Sequence, residues 1–263
     1  MRYIKAPVKN IVTPVVKHML SSYNRRVKAQ NLHSWQLTIP EARELQLRLA
    51  GEVICRGSVN QPRLIGGLDI SVKRNGPARA AAVVLSYPGL EPVEVKTLEG
   101  EPPFPYIPGL LSFREAPLML AVCEQLKSAP DLIMVDGQGI AHPRRFGIAS
   151  HLGVLLDIPT IGCAKSRLCG QYETPAEEAA SYNDLVDNGE VIGAVLRTKK
   201  RTRPLFVSIG HRTDLATVIS FVLACCRGYR LPEPTRMAHL AAGGNLLMEA
   251  GRATMQTRDK VIQ

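Results

Sequence analysis

Apolar and polar positions repeat with two different periods along this chain, and each period predicts an element. Between Ile39 and Val53, apolar Ala42, Leu45, Leu47, Leu49 and Val53 sit among charged residues, which predicts an amphipathic helix. From Leu68 to Val72 the period drops to two. Leu68, Ile70 and Val72 alternate with Asp69 and Ser71, a strand announced by Gly66-Gly67. Asn75-Gly76-Pro77 is turn chemistry, and Ala80 to Tyr87 is an apolar run of strand length. Pro88-Gly89 turns again before Val93, Val95 and Thr97 alternate with Glu94 and Lys96 across Pro92 to Thr97. The three segments predict an antiparallel meander.

Beyond the meander, helices and strands alternate. The proline- and glycine-rich stretch 102–109 leads into a helix over Phe113 to Lys127, then a short buried strand over Leu132 to Val135. A helix over Phe146 to Leu155 and a strand over Thr160 to Ala164 follow. Residues 171–190 hold six acidic and no basic residues and read as a solvated excursion. Val191 to Leu196 and Leu205 to Ile209 read as a strand pair joined by a basic tip. Helices over Asp214 to Cys226 and Pro234 to Leu247 close the chain. A meander followed by alternation predicts an α/β fold, a mixed central sheet flanked by helices on both sides. With no Pro/Gly/Ser linker to divide 263 residues, one domain is expected.

Composition narrows the class. Hydrophobic residues at 45% and charged residues at 21% exclude a disordered or fibrous chain. No apolar run nears the roughly 20 residues needed to span a bilayer, and the longest, Thr217 to Cys226, has ten. A cytoplasmic monomer without a membrane partner is expected. Six cysteines lie in apolar segments without a CxxC pair, so buried, reduced thiols are expected and no zinc site is implied. Of the net charge of +10, seven units belong to residues 1–33, which contain no Asp or Glu, leaving +3 for the body. That basic extension, with disorder allowed for it, is open to three readings: a nucleic-acid arm, a transit-like peptide or an upstream translation start without function. Residues 34–263 form the expected catalytic domain.

Three carboxylates carry the candidate chemistry. Asp69 faces away from Leu68, Ile70 and Val72; taken alone it reads as a solvated carboxylate on an edge strand. Asp136 ends the apolar run Leu-Ile-Met-Val and precedes Gly-Gln-Gly, so a carboxyl group arrives at a strand end beside approachable backbone, where open α/β sheets place their sites. Glu115 competes with a capping role in Ser112-Phe113-Arg114-Glu115, a reading that Pro117 opposes because it would delete an early helical bond. Three carboxylates on separate elements suit Mg²⁺, a hard cation that takes oxygen ligands and keeps waters for phosphate substrates. Lys165, just past a strand, ends near the same edge and can neutralise a phosphate. Arg144-Arg145 and the five cations between Arg197 and Arg203 are candidate phosphate grips. His142, His151, His211 and His239 are scattered, and no nucleophile elbow, P-loop or HExxH motif occurs.

The segment Pro105-Tyr106-Ile107-Pro108-Gly109-Leu110-Leu111-Ser112-Phe113-Arg114-Glu115 closely resembles the endonuclease V family of deoxyinosine-directed repair nucleases. Asp136-Gly137-Gln138-Gly139-Ile140-Ala141-His142-Pro143-Arg144-Arg145 resembles that family's second signature. Gly162 to Leu168 and Gly210-His211-Arg212 are similar to two more, and the likeness runs in order from about residue 36 to 250. It implies a ribonuclease H-like fold and Mg²⁺-dependent cleavage, with Mn²⁺ able to substitute. The nick would fall at the second phosphodiester 3′ to the lesion, leaving 3′-hydroxyl and 5′-phosphate ends. By this resemblance Asp69 and Asp136 hold the metal and Glu115 completes the acidic cluster, acting through water. His239 matches a position near the metal, and Lys165 contacts the scissile phosphate region. Tyr106, flanked by Pro105, Ile107 and Pro108, is the wedge that fills the space left by an everted base. Backbone from Gly109 to Leu111 and at Gly137 would read the hypoxanthine edge, and His142 joins the substrate-binding set. Two departures stand out: the extension of about 33 residues, and Gly-Leu-Asp-Ile-Ser-Val where an aromatic often ends the strand motif.

The expected partner is inosine-containing DNA. An inosine-specific endoribonuclease acting on single-stranded RNA is the first alternative, since only contacts to the 2′-hydroxyl separate the two. A non-catalytic binder of mismatched bases is the second, and filled acidic positions count against it.

Overall fold

The structure is a computed structural model that describes residues 26–72, 77–249 and 252–255. Asn75 and Gly76 of the expected turn and the first 25 residues of the basic extension lie outside the described residues. The expected meander is present: β1 (Leu64–Val72), β2 (Ala78–Ser86) and β3 (Pro92–Gly100) pair antiparallel. β1 starts four residues earlier than its alternation suggested, taking in Gly66 and Gly67. These glycines serve packing and not a turn. A Cβ on Gly67 would lie 1.9 Å from the Pro234 carbonyl oxygen, so a helix rests directly on the strand backbone there.

β4 (Leu132–Val135) runs parallel to β1, and β5 (Thr160–Ala164) runs parallel to β4. β6 (Tyr182–Asp187), β7 (Glu190–Leu196) and β8 (Leu205–His211) continue antiparallel, giving the order β3-β2-β1-β4-β5-β8-β7-β6. This is the mixed sheet expected. The supposed excursion over 171–190 is corrected in part, because β6 lies inside it. A separate two-stranded sheet, β9 (Leu246–Glu249) with β10 (Arg252–Met255), was also not anticipated. The last helix stops at Ala242 instead of Leu247, where Gly243 and the left-handed Gly244 (φ +77°) end it.

Among the described residues five helices cover the sheet: α1 (Ile39–Ala50), α2 (Leu111–Cys123), α3 (Ile148–Leu156), α4 (Leu215–Ala224) and α5 (Glu233–Ala242). On one face Ile65, Met134, Ile161 and Val207 meet Val218 and Val222 of α4 and Ala238 and Ala241 of α5. On the other, Leu68, Ile133 and Val135 meet Ala116 and Met119 of α2 and Leu152 and Leu155 of α3. α1 packs outside this second layer, placing Ala42, Leu45 and Leu49 against Phe113, Phe146 and Val154. Each layer buries apolar surface at roughly 25 cal/mol per Å², which holds the assembly as one domain.

Residues 26–33 lie on this body. Val27 is buried in the α2–α3 layer, the Gln30 amide donates to the Leu155 carbonyl (2.7 Å), and His33 Nε2 lies 2.8 Å from His151 Nε2. Among the described residues no helix is long and apolar enough to cross a membrane. All six cysteines are free thiols, as expected; Cys55 is exposed, contrary to the expectation that all are buried.

Candidate functional site

Strand parity builds the acidic cluster. Along β1, Ile65 and Gly67 face the α4–α5 layer, so Asp69 faces it too. Along β4, Leu132 and Met134 share that face, and the next residue in phase is Asp136. The parallel register pairs Leu68 with Val135, and the Asp136 amide donates to the Leu68 carbonyl at 3.0 Å, so the two carboxylates stand level on adjacent strands. On β5, Ile161 and Cys163 occupy the same face, and Lys165 continues it past the strand end. The reading of Asp69 as a solvated edge residue is therefore corrected. β1 is an inner strand covered by α5, and Asp69 is 7% exposed.

The side chains converge. His239 of α5 approaches Asp69 with Nδ1 2.7 Å from Oδ2, and the Ile70 amide donates to Asp69 Oδ1 at 2.7 Å. Lys165 forms an ion pair with Asp136, and its Nζ lies 3.4 Å from His239 Nδ1. Asp69, Asp136 and His239 each offer a donor atom, and the three atoms lie within 4.8 Å of one another. Glu115 comes from α2, across the sheet. Burial, and then the negative charge of Asp69, push its carboxyl up to about 8. Asp69 is raised for the same reasons, burial first and Asp136 second, against the lowering effect of His239 and Lys165. Like charges crowded in low dielectric make an arrangement that a divalent cation would relieve.

The capping reading of Glu115 is settled by geometry. α2 begins at Leu111 with Leu110 as an N-cap that makes no side-chain bond. Ser112 Oγ instead lies 3.1 Å from His151 Nδ1, leaving Glu115 free of the helix start. Pro117 falls inside the helix, which ends at Cys123, short of Lys127.

Beside the cluster lies a cavity of about 140 Å³, lined by Tyr106, Ile107, Pro108, Gly109, Leu111 and His142 among the expected residues, with Gln46, Ser112, Gln138, Gly147, Ile148 and Leu168. It is smaller than a typical pocket for a drug-sized ligand and suits one flat heterocycle. Tyr106 is 68% exposed at its mouth. Pro105 does not line it, and Gly137 contributes from behind: a Cβ there would meet Ile148 Cγ2 at 2.4 Å. Gly109 adopts φ +77°, a conformation that favours glycine.

The Gly109 carbonyl is held by two donors. The Arg144 amide donates to His142 Nδ1 (3.1 Å), which fixes the proton on Nε2, and Nε2 donates to Gly109 O at 3.1 Å. Arg144 Nη2 donates to the same oxygen at 2.6 Å, while its Nε donates to Gln46 Oε1 at 2.6 Å. Gln46, 1% exposed, donates in turn to the Phe146 carbonyl at 3.0 Å. Burial first, then Arg144, pull His142 down to about 4, so it is neutral at ordinary pH.

The basic clusters divide. Arg144 turns inward as described, and Arg145 pairs with Asp187 (2.9 Å) and Glu190 (2.7 Å), so neither is a free phosphate grip. Arg197 is buried on the carbonyls of Pro175, Ala176 and Thr202. Lys199, Lys200, Arg201 and Arg203 remain exposed at the β7–β8 tip. Gln46 escaped notice in the sequence because it sits on the amphipathic helix among charged neighbours. A polar residue four positions after Ala42, in phase with its buried face, was the available signal.

Residues 47–240 match the family model described as Endonuclease V. The chain is 55% identical over 217 residues to the Endonuclease V of Dehalococcoides mccartyi, covering 82% of this chain and 97% of that protein. The crystal structure of the Endonuclease V from Streptomyces avermitilis superposes with a TM-score of 0.77 at 42% identity, over 80% of this chain and 94% of that one. The Endonuclease V of Ciona intestinalis, crystallised in complex with a 24mer DNA containing an inosine followed by a ribo-adenosine, matches at 29% identity with a TM-score of 0.67. It covers 78% of this chain and 96% of that one.

Proposed function

This chain belongs to the endonuclease V family and is a nuclease, and we propose that it nicks inosine-containing DNA at the second phosphodiester bond 3′ to the lesion. The observation that carries the reading is adjacency: one helix, α2, lines a base-sized cavity with Leu111 and Ser112 and turns Glu115 toward the acidic cluster. Asp69 and Asp136 are hard oxygen donors pressed together in a buried site, which fits Mg²⁺, and Mn²⁺ accepts the same donors together with the His239 imidazole. When bound, the ion supplies Lewis acidity at the scissile phosphate and a more acidic water.

The chain's own groups do the rest. Tyr106, braced by Pro105 and Pro108, stacks where the inosine has left the helix, and the cavity receives the extruded base. Backbone at Gly109, Leu111 and Gly137 meets the base edge, with Gly109 positioned by His142. Lys165 presents its ammonium to the scissile phosphate, and Glu115 acts on water beside the cluster. Water oxygen bonds to phosphorus as the bond to the 3′ oxygen breaks. That oxygen takes a proton, leaving 3′-hydroxyl and 5′-phosphate ends.

The test is an end-labelled duplex with one internal deoxyinosine, incubated with Mg²⁺ or with EDTA. A nick one nucleotide beyond the inosine on its 3′ side, seen only with Mg²⁺, is expected. No nick in that duplex with Mg²⁺ would overturn the reading. Inosine-containing RNA is the second reading, because the ligand of the Ciona intestinalis protein carried a ribo-adenosine directly after the inosine. RNA cut faster than DNA in parallel reactions would favour it.

A further inference from the structure

We propose that Arg230 is a positioning residue that fixes the main chain of Lys165 and the basic β7–β8 tip as one rigid unit. The inference rests on the assignment of Lys165 to the scissile phosphate and extends it to a residue that touches no reacting atom. Arg230 lies in the loop between α4 and α5, three residues before the helix that carries His239. Its Nη2 donates to the Lys165 carbonyl at 2.7 Å and to the Pro204 carbonyl at 2.8 Å, and its Nε donates to the Arg203 carbonyl at 2.8 Å. Thr198 Oγ1 donates to the Arg230 carbonyl at 2.5 Å, closing the tip onto the same loop. Three guanidinium protons thus join three carbonyls from two separate segments, a geometry that the single ammonium of lysine does not reproduce.

The tip so held carries Lys199, Lys200, Arg201 and Arg203, all exposed, and Arg197 braces its inside through the Thr202 carbonyl. Exposed cations on a rigid loop bind nucleic-acid phosphates without regard to sequence. Arg230 ties that grip to Lys165, so a strand seated on the tip is presented to the lysine at a fixed offset. Misplacement of about 1 Å at a reacting centre costs on the order of a hundredfold in rate. Fixing Lys165 by its own carbonyl is the function assigned to Arg230.

Two measurements test this, both on the full chain. The first is single-turnover cleavage of a deoxyinosine duplex with saturating enzyme and Mg²⁺. Arg230→Gln is expected to slow the wild-type reaction by about tenfold to a hundredfold. It should leave the duplex dissociation constant, measured in EDTA, within about twofold. In the Lys165→Ala background the same substitution should change the residual rate by less than about twofold, because it acts through the lysine. Equal losses in both backgrounds, or a loss confined to binding, would overturn the proposal. The second compares Lys199→Gln/Lys200→Gln/Arg203→Gln with wild type on duplexes with and without inosine. Affinity should fall by a similar factor on both, and the salt slope should shrink by about 0.9 for each phosphate no longer neutralised. An unchanged salt slope would remove the tip from the proposal. A wild-type protein that cuts no inosine substrate would instead overturn the underlying reading of the site.

Discussion

The acidic cluster and the base cavity are two residues apart on one loop, Asp136 in the first and Gln138 in the second, yet their electrostatics are opposite. In the cluster, burial and like charge work together: Asp69 and Glu115 are both pushed above the usual carboxylate range, each partly by a neighbouring carboxylate. Around the cavity, the polar groups at Gly109 are matched in advance. Its carbonyl takes one bond from a neutral His142 and one from Arg144, which is itself anchored on buried Gln46. Repulsion within the cluster is only partly offset by Lys165 and His239, whereas the polar groups of the cavity wall are already paired. The proposed binding of an ion and a base would gain from both: repulsion raises the reward for the ion, and a fixed wall rejects bases that do not fit.

The largest expected effect follows from the cluster. Asp136→Asn keeps the shape and removes the charge, so it should cost several kcal/mol of transition-state stabilisation, about a thousandfold or more in nicking rate. Because the substitution also relieves repulsion at Asp69, melting in EDTA should occur at or above the wild-type temperature. A variant that still nicks at more than a tenth of the wild-type rate would break the comparison, and so would one that melts several degrees lower in EDTA.

How much of this was legible in the sequence follows from what each residue needs to disclose itself. β4 and β5 were found with their observed bounds because a fully buried strand is an uninterrupted apolar run. β6, an edge strand reading Tyr-Asn-Asp-Leu-Val-Asp, buries only Leu185 and carries its acids outward, so it looked like solvated loop. The start of β1 was hidden by Gly66 and Gly67, whose lack of side chains serves the close approach of α5. Of the site, Asp136 announced itself by ending a buried run. Asp69 did not, since whether a strand lies at an edge is decided by pairing and not by its own residues. Arg144 read as a candidate phosphate grip, because its inward turn depends on Gln46, 98 positions away.

A smaller effect probes the cavity wall. Arg144→Gln removes the charged donor to the Gly109 carbonyl, a bond of about 1.5–3 kcal/mol when one partner is ionised. His142 remains, so the loop should loosen and not collapse. Cleavage of inosine duplex at low enzyme should fall by about tenfold to a hundredfold, while the Mg²⁺ concentration for half-maximal rate stays as in wild type. A shift in that Mg²⁺ requirement would mean the two regions are not electrostatically separate.

The smallest effect is the most direct reading of the contrast, because the two regions should respond to pH in opposite senses. Glu115 moves from an ordinary value of 4.5 to about 8, so its contribution to stability is full below 4.5 and is lost as pH rises through 8. His142 moves from 6.5 to about 4, so its contribution is present above 6.5 and is lost as pH falls through 4. Between pH 6.5 and 8.5 only the cluster is therefore losing stability. Mg²⁺ competes with the proton there and gains as the proton leaves. The rise in Tm on adding Mg²⁺ should be larger at pH 8.5 than at pH 6.5 by a few degrees, at about 2–4 °C per kcal/mol for a chain of this size. In Glu115→Gln the difference between the two rises should shrink, since Asp69 is then the carboxyl that keeps a raised value. Equal rises in the wild type would show that Glu115 does not titrate against the ion, and would reduce the cluster to Asp69, Asp136 and His239.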